Sequence, residues 1–363
     1  MWIIIAAIVI CLLAVCCIIL PPSKGEVTPF LDEQGLPIKG SIAEKTFLTI
    51  NDTTLGMFIM GKDETKPVLL FLAGGPGLPE YFLEKDYPTG LAEEFVVCYL
   101  EYRGTSLSYD SKLSKDTMTT RQYMDDVVAV TDYLSERFHQ EKIYLMGHSF
   151  GTYIGLSAAA VHPERYHAYI AVSQLCNQRE SEALAYDYML EQYQTAGNQK
   201  KVTEFEKISI RDSDEDYEKY FTSMLRDSSM HELGIGTARD MHSVFIGIVL
   251  SSLKATVYSP MERINIYRGK LFAQNTQVAQ DARHFNAFET IKSLELPVYF
   301  FGGKYDYTCC YSLQKQFYEQ LQAPVKGFYT FENSAHSPLF EEPAQSLEIF
   351  KTDILNKTNT LSD

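Results

Sequence analysis

Basic residues are scarce in this chain. It has 32 Lys and Arg residues against 47 Asp and Glu residues, which gives a net charge of −15 over 363 residues. A surface this acidic repels phosphate backbones, so the composition argues against a nucleic-acid partner and against a polybasic membrane patch. The sequence also lacks internal repeats and low-complexity tracts. With 45% hydrophobic residues, it is long enough for one large globular domain with an insertion.

Cysteines are few and do not form a metal-binding pattern. Seven are present, and three of them fall within the first twenty residues. The other four, Cys98, Cys176, Cys309 and Cys310, match no zinc-site spacing. Four cysteines in a domain of this size do not make a disulfide scaffold either.

Charge is absent from one stretch near the N-terminus. Residues 2–20 form an unbroken uncharged run, and Pro21 and Pro22 follow it. Nineteen helical residues cover roughly 28 Å, about the thickness of a hydrocarbon core. A cleaved signal peptide is the competing interpretation, but no basic segment precedes the run and no Ala-x-Ala-like site follows it. We therefore predict a single-pass transmembrane anchor over residues 1–22, with its orientation left open because only Lys24 lies close to it.

Apolar runs and helical patterns alternate through most of the remaining chain. Residues 45–50 and 54–60 are predicted to form two strands, and the later apolar runs each have the length of a buried strand. The later runs are residues 67–73, 95–100, 143–146, 166–172, 297–301 and 325–331. Strands that alternate with helices predict an α/β fold, with a mostly parallel sheet covered by helices on both faces.

One long block interrupts this alternation. Between residues 178 and 290 the strand-like runs disappear and amphipathic helical patterns replace them. The α/β pattern then resumes, which indicates an insertion into a single sheet. We therefore predict a hydrolase-like core formed by residues 23–177 and 291–363, with residues 178–290 as an inserted helical cap.

A candidate nucleophile stands at the end of one predicted strand. Ser149 lies within Gly147-His-Ser-Phe-Gly151, a pattern typical of a sharp turn from a strand into a helix. A serine hydroxyl needs a histidine to take its proton, and that histidine needs a carboxylate to orient it. Asp306 and His336 each follow a later predicted strand, in the chain order expected of α/β-hydrolases. Because ligands bind at the carboxyl ends of parallel strands, we predict that these three residues form a catalytic triad.

The negative charge that develops during acyl transfer needs backbone N–H donors. One donor is predicted to be the amide of Phe150, directly after the nucleophile. The other is predicted in the glycine-rich loop after residues 67–73, where Gly75 is preferred and Gly74 is the next choice. This chemistry requires neither a metal nor an organic cofactor.

Five short segments together resemble the prolyl iminopeptidase group of α/β-hydrolases. They are Gly74-Gly75-Pro76-Gly77, residues 101–108, Gly147 to Gly151, Gly303 to Asp306 and Ser334 to Ser337. The resemblance implies a triad of Ser149, Asp306 and His336 beneath a helical cap. It also implies a peptide substrate with a free N-terminus, typically proline, whose amine is bound by carboxylates of the cap. Acidic residues in the predicted cap include Glu180, Glu182, Asp187 and Glu191.

The chain departs from the family pattern at four positions near these motifs. Ala73 replaces a usual histidine, Glu101 a usual aspartate, and Ser106 and Thr152 usual glycines. We therefore predict a membrane-anchored serine hydrolase that acts on a small peptide or ester. A prolyl-iminopeptidase-type aminopeptidase is the preferred function, and an esterase or lipase on small or lipid-derived esters is the alternative. A non-catalytic binding module on the same fold is the alternative of another class.

Overall fold

The computed structural model describes residues 20–363. The predicted transmembrane anchor, residues 1–22, lies almost wholly outside this range and remains a prediction. Within residues 20–363, no helix is both long enough and apolar enough to cross a bilayer.

In the described part of the chain, eight strands form one central sheet. They are β1 (Ile42–Ile50), β2 (Thr53–Gly61), β3 (Val68–Leu72), β4 (Val96–Glu101), β5 (Ile143–His148), β6 (Tyr166–Val172), β7 (Val298–Gly303) and β8 (Lys326–Phe331). Their order across the sheet is β1-β2-β4-β3-β5-β6-β7-β8. Strands β1 and β2 pair antiparallel with each other, and β2 pairs antiparallel with β4. The other six strands are parallel, which confirms the predicted α/β fold.

Alternate residues of the central strands face two separate apolar layers. On β3, Val68, Leu70 and Leu72 belong to one layer, and Leu69 and Phe71 belong to the other. All five side chains are fully buried. Because both faces of a parallel sheet are covered, its strands read as continuous apolar runs, which is the pattern that predicted them.

Within residues 20–363, the structure has thirteen named α-helices, two of them extended by a π-helical segment. Those before β7 are α1 (Thr120–Phe138), α2 (Phe150–Val161), α3 (Gln178–Thr195), α4 (Gln199–Phe205), α5 (Asp214–Phe221), α6 (Met224–Glu232), α7 (Ser251–Lys254), α8 (Pro260–Ala273), α9 (Gln277–His284) and α10 (Ala287–Thr290). A π-helical segment, Phe245–Leu250, runs directly into α7. Those after β7 are α11 (Tyr311–Gln320), α12 (Pro338–Glu341) and α13 (Pro343–Ile349), which continues as a π-helical segment, Phe350–Ile354.

The helices between β6 and β7 have an apolar centre of their own. Residues from α3 to α6, together with the segments that join them, bury a third cluster that is separate from the two layers of the sheet. The cluster includes Met189, Tyr193, Phe205 and Tyr220. These helices lie between strands that are neighbours in the sheet, since β6 pairs directly with β7.

Candidate active site

Ser149 occupies a strained turn between β5 and α2. Its backbone angles are φ 55° and ψ −121°, outside the regions that residues with a side chain ordinarily adopt. The flanking glycines make this turn possible. A Cβ at Gly147 would lie 2.5 Å from the Gly151 carbonyl oxygen, and a Cβ at Gly151 would lie 2.0 Å from the Leu72 carbonyl oxygen. Only glycine therefore fits at either position.

His336 and Asp306 meet Ser149 at the carboxyl edge of the sheet. His336 Nε2 lies 2.7 Å from Ser149 Oγ, and His336 Nδ1 lies 3.0 Å from Asp306 Oδ2. His336 is 6% exposed and Asp306 is completely buried. The structure thus brings together three residues that are separated by up to 187 positions in the chain.

The Asp306 carboxylate is held in a ring of donors. Its Oδ1 accepts hydrogen bonds from the backbone N–H groups of Thr308 and Cys309, and its Oδ2 accepts one from Gln314 Nε2. A carboxylate bound in this way accepts the proton on Nδ1 of His336, which leaves the Nε2 lone pair directed at the Ser149 hydroxyl. In this arrangement, His336 Nε2 is able to accept the Ser149 hydroxyl proton.

Glu341 fixes the loop that carries His336. Its Oε1 accepts the N–H groups of Ala335 and Ser337, the two neighbours of His336. Its Oε2 accepts the N–H of Arg239, from the region between β6 and β7. Burial raises the pKa of Glu341 to about 7, although these three N–H donors counteract the rise. The sequence pattern did not predict this residue, because it lies within an apolar helical turn.

The three residues predicted to stabilise the oxyanion lie in different local structures. Phe150 is the first residue of α2, and the first N–H groups of a helix have no partner within it. Gly75 has φ +128°, and a Cβ there would lie 2.4 Å from the Gly77 nitrogen, so this loop requires glycine. The Gly74 N–H already donates to Glu80 Oε1 at 2.7 Å, which argues against the prediction of Gly74 as a further donor. The loop adjoins Ser149, since a Cβ at Gly74 would lie 3.2 Å from Ser149 Cβ.

A buried pair, Glu80 and His148, connects these parts of the site. His148 Nδ1 lies 2.9 Å from Glu80 Oε1, and His148 Nε2 lies 2.7 Å from the backbone oxygen of His336. Because a carbonyl oxygen only accepts, Nε2 carries a proton. Burial lowers the pKa of His148, but the Glu80 carboxylate, the His336 carbonyl and Asp306 together raise it, so the pKa lies above its usual value. Through these hydrogen bonds, the pair connects the glycine-rich loop to the turn that carries Ser149 and to the loop that carries His336. The sequence analysis assigned no role to His148 or to Glu80.

Arginines neutralise most of the acidic residues singled out in the helices after β6. Glu182 is completely buried and binds Arg226 through both carboxylate oxygens, at 2.5 and 2.7 Å. Asp187 and Glu180 share Arg211, at 2.6 and 3.5 Å. Three of the four carboxylates that could bind a substrate amine therefore already have a cationic partner.

Metal ligands do not gather anywhere in the part of the chain that the structure describes. Residues 20–363 contain no group of three or more His, Cys, Asp or Glu side chains arranged to hold an ion. The four cysteines in this range are all buried and free.

Comparison with known proteins agrees with this architecture. The family model described as alpha/beta hydrolase fold matches residues 67–343. A protein of Bacillus subtilis (strain 168), named probable aminopeptidase YbaC, is 30% identical over 321 residues, which cover 85% of this chain and 95% of that protein.

Solved structures show the same fold at low identity. The proline iminopeptidase-related protein from Thermus thermophilus superposes with a TM-score of 0.62 at 16% identity, over 87% of this chain and 98% of that one. The proline iminopeptidase of Mycobacterium smegmatis gives a TM-score of 0.61 at 13% identity, over 86% and 98%.

Proposed function

The chain belongs to the α/β-hydrolase family, and on that premise we propose that it is a serine hydrolase of the aminopeptidase class, similar to prolyl iminopeptidases. The observation that carries the proposal is the 2.7 Å contact between Ser149 Oγ and His336 Nε2, with Asp306 on the other ring nitrogen. A binding module would not need a nucleophile, a base and an orienting carboxylate held in series.

Each residue has a defined role in the proposed reaction. Ser149 Oγ attacks the carbonyl carbon of the substrate while His336 Nε2 takes the hydroxyl proton. The N–H groups of Gly75 and Phe150 stabilise the oxyanion of the tetrahedral intermediate. His336 then gives the proton to the departing amine, which breaks the C–N bond and leaves an acyl group on Ser149. Water, deprotonated by the same histidine, releases the acyl group and restores the serine.

The aminopeptidase class is supported by the similarity over most of the chain to a protein named probable aminopeptidase. Under this proposal the substrate is a small peptide with a free N-terminus. The second candidate is an esterase or lipase, and it is favoured by the apolar residues exposed on the helices after β6. Phe245 and Ile246 are 62% and 66% exposed there, on a segment that a lipid-derived substrate could meet.

One comparison of substrates tests both candidates. The full-length protein is assayed with proline arylamide, other aminoacyl arylamides and short acyl esters, with Ser149→Ala as the inactive control. Cleavage of arylamides that depends on Ser149 is expected. Cleavage of esters alone contradicts the aminopeptidase proposal but keeps the hydrolase. Failure of a fluorophosphonate probe to label Ser149 in the folded protein contradicts the serine hydrolase proposal altogether and favours a binding module.

We also propose that residues 1–22 remain on the mature protein as a single membrane anchor. The uncharged run of residues 2–20 supports this proposal. Mass spectrometry of the protein recovered from washed membranes is expected to find the N-terminal residues intact. A mature chain that begins after residue 20 and stays in the supernatant would contradict the anchor.

A further inference from the structure

Large apolar side chains are exposed along one side of α8. Met261, Ile264 and Leu271 are 58%, 41% and 67% exposed. Their spacing of three and ten residues from Met261 places them on the same side of a helix with 3.6 residues per turn. The opposite side of α8 is buried through Ile266 and Ala273.

A second helix extends this exposed side. The guanidinium of Arg263 donates to the Leu253 carbonyl at 2.8 Å, and the Tyr267 hydroxyl donates to the Val249 carbonyl at 3.4 Å. The step from Arg263 forward to Tyr267 on α8 thus matches a step from Leu253 back to Val249 on the other helix. The two helices therefore run antiparallel.

Exposed apolar side chains are concentrated in these two adjoining segments. Thirteen large hydrophobic side chains of the described range are exposed, and five of them fall within residues 245–271. Single exposed apolar residues are ordinary on soluble proteins, but such a cluster marks an interaction surface. We call it the apolar face, defined by Phe245, Ile246, Met261, Ile264 and Leu271.

The segment that carries the apolar face differs in charge from the rest of the protein. Residues 245–273 contain four basic residues, of which Arg263 is buried, and one acidic residue, a net charge of +3 in a chain of net charge −15. The acidic residue, Glu262, is neutralised by Lys45 at 2.9 Å. Lys254 and Arg268 are exposed. Apolar side chains with neighbouring cations are typical of a surface that rests in the headgroup region of a bilayer.

The uncharged N-terminal run joins the protein beside this face. The carbonyl of Pro21 accepts a hydrogen bond of 2.6 Å from the buried guanidinium of Arg263 in α8. The Ser23 hydroxyl donates to the carbonyl of Thr256, in the link between the two helices. Residues 2–20 therefore connect to the protein at the edge of the apolar face.

We propose that the apolar face lies on the surface of a phospholipid bilayer. This inference rests on the proposed anchoring by residues 1–22, which would hold the face against the same membrane. The helix that carries much of the apolar face also packs against the glycine-rich loop of the candidate active site. A Cβ built at Gly77, in the glycine-rich loop, would lie 3.4 Å from Ala273 Cβ on the inner side of α8. The lipid surface would then be about one helix diameter, roughly 10 Å, from the loop of the proposed oxyanion hole.

Tryptophan fluorescence tests the contact directly, since Trp2 is the only tryptophan in the chain. In a Trp2→Phe background, Ile246→Trp and Leu271→Trp each place one tryptophan on the apolar face. The matched control is Val161→Trp, which is 58% exposed at the far end of α2, toward the opposite edge of the sheet. Each full-length variant is reconstituted in phosphatidylcholine vesicles with and without bromine on the acyl chains. Circular dichroism melting checks that each variant is folded.

The expected result is that brominated lipid lowers the emission of Ile246→Trp and Leu271→Trp about twofold and leaves Val161→Trp almost unchanged. Equal emission with and without bromine at positions 246 and 271, in protein that floats with the vesicles, overturns the apolar-face proposal and leaves the anchor intact. Protein that does not float with the vesicles overturns both. Blue-shifted emission of Ile246→Trp or Leu271→Trp without lipid means that residues 2–20 or a second copy of the protein covers the apolar face. This result also overturns the proposal. Sedimentation analysis distinguishes the two occupants.

Discussion

The carboxyl group of Glu101 provides a quantitative test of the structure. It is the last residue of β4 and is 3% exposed. Its Oε1 accepts the Tyr258 hydroxyl at 2.5 Å, and its Oε2 accepts the Leu107 N–H at 2.8 Å. Burial raises the pKa of Glu101 from an ordinary 4.5 to about 7, in spite of these hydrogen bonds. Removal from water penalises the ionised form more than two donors stabilise it.

The raised pKa makes protein stability depend on pH with a defined sign. Because the folded protein binds this proton more tightly than the unfolded chain does, the contribution of Glu101 is fully present below pH 4.5. It is lost as the pH rises to about 7. Each pKa unit corresponds to about 1.4 kcal/mol, so the loss over this window is about 3 kcal/mol.

Replacing Glu101 by glutamine removes this dependence while it keeps the local contacts. The amide oxygen accepts the Leu107 N–H, and the amide nitrogen donates to the Tyr258 oxygen. Urea unfolding of wild type and Glu101→Gln, followed by circular dichroism at pH 5 and pH 8, gives the free energies of unfolding. Between these pH values, we expect the variant to gain roughly 2–3 kcal/mol relative to wild type.

The control is Glu295→Gln, at an exposed carboxyl group. It should follow the wild-type pH dependence. The reasoning about burial is refuted if the difference between wild type and Glu101→Gln is the same at both pH values.

Three further predictions follow from the site and its supports. In Asp306→Asn the amide nitrogen would face His336 Nδ1 and stabilise the tautomer with a proton on Nε2, so kcat/KM should fall about 10⁴-fold in steady-state assays, and a fall below tenfold would contradict the role of Asp306. Arg226→Met leaves the buried carboxylate of Glu182 unpaired and should cost about 3–5 kcal/mol in urea unfolding, and Glu182→Gln added to it should recover most of that loss. Gly151→Ala places a Cβ 2.0 Å from the Leu72 oxygen and should prevent folding, as judged by soluble yield, whereas Gly197→Ala, with no atom within 4 Å of the new Cβ, should lose only about 1 kcal/mol for its positive φ.

The sheet could be predicted from the sequence because its strands are buried on both faces. Residues 67–73 and 297–301 read as apolar runs for that reason, and β3 and β7 occupy them. The three predicted triad residues stood out because each followed such a run. The order in which the antiparallel strands join the parallel strands of the sheet could not be predicted from the sequence. Strand β2 pairs with β4 rather than with its neighbour β3, and no local pattern encodes that order.

Contacts between distant residues escaped prediction. Glu80 and His148 are 68 positions apart, and neither has a neighbour pattern that identifies a partner. The hydrogen bond donated by the Gly74 N–H could not be predicted either, because it depends on where the Glu80 side chain lies. Local periodicity also missed irregular helices. Near the C-terminus, α13 ends at Ile349 and a π-helical segment continues the chain to Ile354, a change that the spacing of apolar residues does not reveal.

Substrate selection was the least predictable property because it depends on how charges are paired. A sequence shows that Glu182 and Asp187 are acidic, but not that Arg226 and Arg211 neutralise them. A substrate amine that displaced Arg226 would leave this guanidinium buried without its partner, at a cost of several kcal/mol. An aminopeptidase with this set of ion pairs therefore binds its substrate amine more favourably through a carboxylate outside these pairs. Among the four acidic residues singled out from the sequence, Glu191 alone is not in an ion pair of the described range. We therefore expect kcat/KM for aminoacyl arylamides to fall more in Glu191→Gln than in Asp187→Asn.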